Sequence, residues 1–278
     1  MKARNVLAAG ALLATLAVPA QPAWANHPVF VEGNCDSPVP GTTIVTQGTC
    51  GDFDGDGRVG TAEDTDGADR IFGTVAAALG PGTGAAAGTG ANQNGRITIV
   101  GDGRFTEQLL ITGANVTIEG APGVAATIDA VLQGDPAGGN NTRQGGIGIS
   151  INTPTTARTT LRNLAVRNWA TGIHIQDAHV VLDDVRLEGN LNAGIVVAGA
   201  GVLTLTDSHI NGTGFRIGTA ASTPTGGIGL EFRDSAKGVI ADSAVTGSFG
   251  AGVKDNSSAS YALQRATLFD NSPNQVRV

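Results

Sequence analysis

The residues best suited to chemistry lie in one run of twelve, from Asp52 to Glu63. Asp52, Asp54 and Asp56 place carboxylates at alternate positions, Gly57 permits a sharp turn, Arg58 offers a peptide carbonyl, and Glu63 closes the run with a fourth carboxylate. Val59 adds an apolar anchor. Hard oxygen donors converging on a point suit Ca²⁺, which takes about six to eight oxygens in a flexible shell. Without a cation, carboxylates held so close together repel one another. The competing reading is an acidic loop left in water; Asp64, Asp66 and Asp69 extend the acidity without completing a second set.

The order of these residues resembles the EF-hand calcium loop, with its glycine after the third aspartate and its bidentate glutamate at the end. The resemblance implies that Asp52, Asp54, Asp56, the Arg58 carbonyl and Glu63 hold Ca²⁺. It stops at the loop, because Cys50 and Gly51 stand where an entering helix would be. A single copy is similar to the isolated calcium loops of extracellular proteins rather than to a paired sensor.

The start of the chain agrees with an extracellular setting. Lys2 and Arg4 precede an apolar stretch over residues 6–18, and Ala23-Trp24-Ala25 is a small-x-small site, the pattern of a signal peptide cleaved near Ala25. The apolar stretch is short for a transmembrane helix. Abundant Ala and Gly with few Lys, and the form of this leader, point to a bacterial secreted protein. In that compartment an even cysteine count favours a disulfide, here Cys35 to Cys50, and no Cys-x-x-Cys suggests a redox role. Closing a loop of this size contributes ~3 kcal/mol on the chain-entropy model. The net charge of −7 disfavours nucleic acid and anionic membrane as partners.

From residue 159 onward one short phrase recurs. Its anchors are Leu161, Leu182, Leu205, Ile240 and Leu263; five residues on stand Val166, Leu187, Ile210, Val245 and Leu268. A second apolar series, Ile173, Ile195, Leu230, Val253 and Val276, usually follows a glycine (Gly172, Gly194, Gly229, Gly252). The anchors recur at just over twenty residues, the period of a solenoid, with about twelve extra in the third interval. Short pieces alternating Val, Ile, Leu and Thr between Gly, Asn and Asp read as strands. At ~3.3 Å per residue, three such strands and their turns use up one coil.

Phrases such as Leu182-Asp-Asp-Val-Arg-Leu187 and Gly194-Ile-Val-Val197 resemble the right-handed parallel β-helix of the pectate-lyase-like superfamily. The fold class this implies is all-β, a solenoid over 96–278 entered through a helix with apolar residues at 71, 72, 75, 76 and 79 that covers its open end. The chain then divides into a signal peptide (1–25), a disulfide and calcium-loop segment (26–67), a capping helix with a Gly/Ala-rich connector (68–95), and the β-helix (96–278).

Two inserts, near 132–146 and 211–228, fall just before glycine-led strands and should project along one side. Outward positions of those strands stack Ser150, His174, Val196, Glu231 and Lys254 in one column and Asn152, Gln176, Ala198, Arg233 and Asn256 in the next. His174, Gln176, Glu231, Arg233, Lys254 and, from the insert, Arg216 form a candidate ligand groove that resembles the saccharide cleft of related enzymes. An ordinary solvated, salt-bridged face is the alternative. A further polar column, Asn163, Asp184, Asp207, Asp242 and Arg265, falls at a turn. Its carboxylates could bind metal or act as an acid/base pair, but turn chemistry favours a ladder of side chains bonded to the backbone.

Two function classes follow. One is a monomeric, non-catalytic module that binds polysaccharide or cell-surface glycan, or displays a surface. The other is a polysaccharide lyase or glycoside hydrolase acting in the groove. The aspartate cluster and arginine base of lyases with this fold are not found, nor the paired aspartates of galacturonan hydrolases, and aromatics to stack on sugars are few.

The calcium loop generates the first prediction. At ten times Kd a bound ion stabilises the fold by about 1.4 kcal/mol. Calcium should raise the wild-type unfolding transition relative to chelator and leave an Asp52→Ala/Glu63→Gln double variant unmoved, with β-sheet content constant by circular dichroism. A wild type indifferent to calcium reduces the loop to an acidic turn.

Overall fold

A strand that alternates apolar and polar residues can bury one face only if a neighbour continues the pattern in register. The computed structural model meets this condition along most of the chain. It describes residues 29–31, 70–72, 74–79, 95–100, 103–113, 115–130, 146–214, 226–258 and 260–277. The expected signal peptide, Cys35, Cys50, the expected calcium loop with Asp52, Asp54, Asp56, Arg58 and Glu63, and Arg216 with most of both inserts lie outside the described residues.

Among the described residues two short strands, β1 (Val29–Val31) and β2 (Arg70–Phe72), and one helix, α1 (Val75–Leu79), precede the coils. The coils then wind through three faces. On the first face lie β3 (Arg96–Ile99), β6 (Thr117–Gly120), β9 (Arg158–Arg167), β11 (His179–Glu188), β13 (Val202–Thr206), β16 (Lys237–Ala241) and β19 (Tyr261–Gln264). The second face carries β4 (Gly103–Phe105), β7 (Ala126–Asp129), β14 (His209–Asn211), β17 (Ala244–Thr246) and β20 (Thr267–Phe269). The long strands β9 and β11 turn the corner and serve both faces, which joins them into one sheet. The third face is a separate sheet of β5 (Leu109–Ile111), β8 (Ile147–Ile151), β10 (Thr171–Gln176), β12 (Ala193–Ala198), β15 (Ile228–Asp234), β18 (Ala251–Ser257) and β21 (Asn274–Arg277). Pairing is parallel throughout.

Each expected apolar series becomes one column of the core. Leu161, Leu182, Leu205, Ile240 and Leu263 pair in turn on the first face, and Ile173, Ile195, Leu230, Val253 and Val276 on the third. Their side chains are fully buried until the last coil, where Leu263 and Val276 are 41% and 38% exposed because no further coil lies on them among the described residues.

The helix is shorter than its spacing suggests. Arg70–Phe72 is strand, paired with β1, and among the described residues of this stretch only Val75–Leu79 is helical. Ile71 and Phe72 extend the sheet edge instead of a helix face. Val75, Ala78 and Leu79 enter the core cluster, and the Val75 amide donates to Glu107 Oε1 at 2.6 Å, which ties α1 to the first coil.

The corner column needs a correction. Asn163, Asp184, Asp207, Asp242 and Arg265 all have φ between 48° and 51°. Asn and Asp tolerate this left-handed conformation better than other non-glycine residues, so the turn itself selects them. Only Asn163 bonds back to the chain, its Nδ2 donating to the carbonyls of Gly120 and Ala121 at 2.9 and 3.0 Å. The side-chain ladder runs instead one residue past the second corner, through the column Trp169, Asn190, Thr213, Ser248 and Asn271. Asn190 accepts from the Trp169 amide at 3.1 Å and donates to the Val166 carbonyl; Asn271 accepts from the Ser248 amide at 2.9 Å and donates to the Val245 carbonyl. Between these asparagines the buried hydroxyls of Thr213 and Ser248 have no partner. The glycines of the repeat now have a reason: a Cβ at Gly172 would stand 2.7 Å from the Gly194 carbonyl and 2.8 Å from Asn190 Nδ2.

Asn190→Ala would orphan one buried amide and one carbonyl, at about 1–3 kcal/mol. We expect a Tm lower by several degrees, whereas Asp207→Asn, which keeps the turn, should leave Tm unchanged in the same thermal melt. Equal effects would refute the assignment of the ladder to the second corner.

Candidate functional site

The third face places five of the six expected groove residues on one surface. His174 pairs with Val196, Val196 with Glu231, and Glu231 with Lys254, while Gln176 pairs with Ala198 and Arg233 with Asn256. In β15 the alternation is visible residue by residue. Leu230 and Phe232 point inward and are fully buried, leaving Glu231 and Arg233 outward. Phe232 stacks on Tyr261 of the last coil, with centroids 5.3 Å apart and planes 6° from parallel, so the backing of this segment is aromatic.

Glu231 is the centre of the cluster. Although it occupies an outward position it is only 3% exposed. Its Oε2 accepts from Arg233 Nη2 at 2.6 Å, and its Oε1 accepts from Lys254 Nζ at 3.0 Å and from Asn256 Nδ2 at 2.9 Å. Burial pushes the carboxyl pKa up, but the hydrogen bonds and charges of Arg233 and Lys254 more than offset it and hold the group below the ordinary value. Burial and the Arg233 charge together lower His174, so that imidazole is neutral near pH 7. Gln176 does not join them; its Nε2 donates to Asp177 at 2.7 Å. One carboxylate set against two cations leaves a positive surplus. The Arg233 side chain is half exposed and can still present donors outward. Such a group recognises carboxylate or sulfate. An ionised, saturated Glu231 is a poor general acid, since it has no proton to give.

Other charged groups escaped the sequence reading. Asp129 is fully buried, accepting from Arg167 Nε at 2.9 Å and Asn168 Nδ2 at 2.7 Å with Arg104 at 3.4 Å. Nothing local marks it, because its partners come from the coils before and after its own. On the second face two cavities of about 360 and 630 Å³ adjoin, sharing Asp184, Arg186 and Glu188. Their signal was the alternation continuing past each left-handed corner residue. No cluster of three or more metal-type side chains occurs among the described residues. Nor is any described helix long and apolar enough to cross a membrane.

The family model of the right handed beta helix region matches residues 147–274. The match spans β8 to the start of β21 and agrees with the parallel pairing, so the fold is a right-handed parallel β-helix. No curated protein and no solved structure matches the chain.

A carboxyl held below its ordinary pKa stabilises the fold above the unfolded-state value and loses that contribution as pH falls through the folded value. Glu231→Gln should therefore melt below wild type from pH 8 to about pH 5, by about 1–3 kcal/mol, with the gap closing as pH drops below about 4.3. A gap that widens in acid would contradict the ionised assignment.

Proposed function

We propose that this protein is a secreted, calcium-stabilised β-helix that binds an acidic glycan on its third face without turning it over. The observation that carries the reading is the Glu231 cluster. A saturated carboxylate pins Arg233 and Lys254 on a flat sheet, and their joint positive surplus meets solvent through Arg233. The inserts before β8 and β15 support it, since both lead into strands of this face. The leader, the Cys35/Cys50 pair and the loop at Asp52–Glu63 support an exported protein that uses Ca²⁺ for stability, because a lone loop has no partner helix pair to open.

One observation favours the alternative of a polysaccharide lyase or hydrolase. His174 is held neutral on the same face as Arg233, so it is able to accept a proton beside a cation. Against it, Glu231 is committed to three donors and kept ionised.

Calorimetric titration with polygalacturonate, alginate and a sulfated glycan tests the reading. Arg233→Ala should weaken binding at least tenfold, the loss of a charged hydrogen bond. Glu231→Gln should strengthen it severalfold by removing the competing anion. Opposite signs in two variants that both lose stability cannot come from unfolding. Binding should also fall as salt rises. Release of unsaturated or reducing ends from any of these polymers would establish the enzyme instead, and absence of binding to all three would remove the third face as an acidic-glycan site.

A further inference from the structure

The second face carries a trough that the Glu231 site does not use. Its floor is one outward column, Ala165, Arg186, His209, Ala244 and Thr267, paired rung by rung. The alanines leave space on either side of Arg186 and His209, and the two cavities open there. Along one margin the left-handed corners turn the side chains of Asp184 and Asp207 outward into solvent. Arg186, Asp184 and Asp207 are exposed, and none makes a side-chain hydrogen bond with another described residue, although Asp207 is near enough to Arg265 to feel its charge. Asp242, by contrast, is closed by Arg265, and His209 Nε2 lies 2.9 Å from Thr246 Oγ1. Donors and acceptors that are still available therefore stand side by side and repeat at the strand spacing of ~4.8 Å.

The lining narrows what could lie there. No apolar side chain larger than Ala244 lines the larger cavity, so it does not suit an apolar ligand or a lipid surface. Carboxylates at least balance the guanidiniums, which disfavours a polyanion. Among the described residues the one open edge at the far end of the trough is that of β20, and a peptide added there would lengthen the sheet rather than lie along the floor. What remains suited to parallel columns of donor and acceptor along a solenoid axis is a linear chain of hydroxyls. We propose that this trough binds an uncharged oligosaccharide, with Arg186 donating to ring or hydroxyl oxygens and Asp184 and Asp207 accepting from hydroxyls. The site is independent of the acidic-glycan reading and lies on a different face.

The test is titration of the secreted full chain with cellohexaose, xylohexaose and mannohexaose, followed by calorimetry and by amide shifts in NMR spectra. At least one should bind with Kd at or below about 1 mM. Arg186→Ala should weaken that binding at least tenfold and Asp207→Asn severalfold, both with unchanged Tm, while Arg233→Ala leaves it intact. Salt between about 0.05 and 0.5 M should change it little, because the ligand is uncharged. The proposal is overturned if none of the three binds at about 10 mM. It is equally overturned if binding survives Arg186→Ala but not Arg233→Ala, or if only acidic oligosaccharides show the Arg186 dependence.

Discussion

Every feature of this molecule depends on parallel strands stacking in register. Each coil buries its apolar residues only against the coils above and below, so a residue's role is set by the column it occupies. A slip of one residue would turn every core side chain outward. The corners enforce the register. Among the described residues ten non-glycine residues adopt positive φ, and five of them stand in one column from Asn163 to Arg265. Each such residue reverses which side of the backbone faces the core, so one strand can end and the next begin with its apolar residue inward. Arg265 lacks the local hydrogen-bonding chemistry of Asn or Asp, and it occupies the last coil, where its guanidinium pairs with Asp242 of the coil before.

Stacking also decides where charge can be buried. Glu231 and Asp129 each hold a carboxylate out of water, and each is compensated by cations from neighbouring coils. A buried carboxylate without partners would be costly, and removing one partner exposes that cost. Lys254 lies one rung from Glu231, and Arg167 one rung from Asp129. Ion pairs of this kind tie successive coils together at their surfaces, as the apolar columns do inside. They also leave the surface less free to respond, since side chains saturated by their neighbours are poor proton donors.

Much of this was legible in the sequence because column membership follows from periodicity. The anchors from Leu161 to Leu263, the glycine-led strands and the stacking of His174, Glu231 and Lys254 all follow from counting residues. The interior ladder was not legible. Asn190 and Asn271 share their column with Trp169, Thr213 and Ser248, and no residue type recurs there on successive rungs for the eye to follow. The corner column drew attention because it does repeat a type, but that repetition records a backbone conformation and not a hydrogen-bonding role. The helix was overestimated for a related reason. Ile71 and Phe72 satisfy a helical spacing, yet β1 offers them a sheet edge, and tertiary pairing overrides a spacing that short.

The same geometry explains why one scaffold can present two chemically different surfaces. The third face has large side chains from adjacent rungs that reach one another, so Arg233, Lys254 and Asn256 converge on Glu231 and leave a single localised positive charge. On the second face the alanines of β9 and β17 flank Arg186 and His209 and leave space beside them, and the corner aspartates diverge from the sheet. Convergence saturates donors and concentrates charge, while separation leaves donors and acceptors available and spreads them along the axis. The first arrangement favours a ligand that carries charge, and the second favours one that carries many weak polar groups at intervals. Neither depends on the rest of the coil, because the interior columns beneath the two faces are built of the same buried Leu, Ile and Val. Surface chemistry on this solenoid is thus set by which side chains are allowed to meet across a rung.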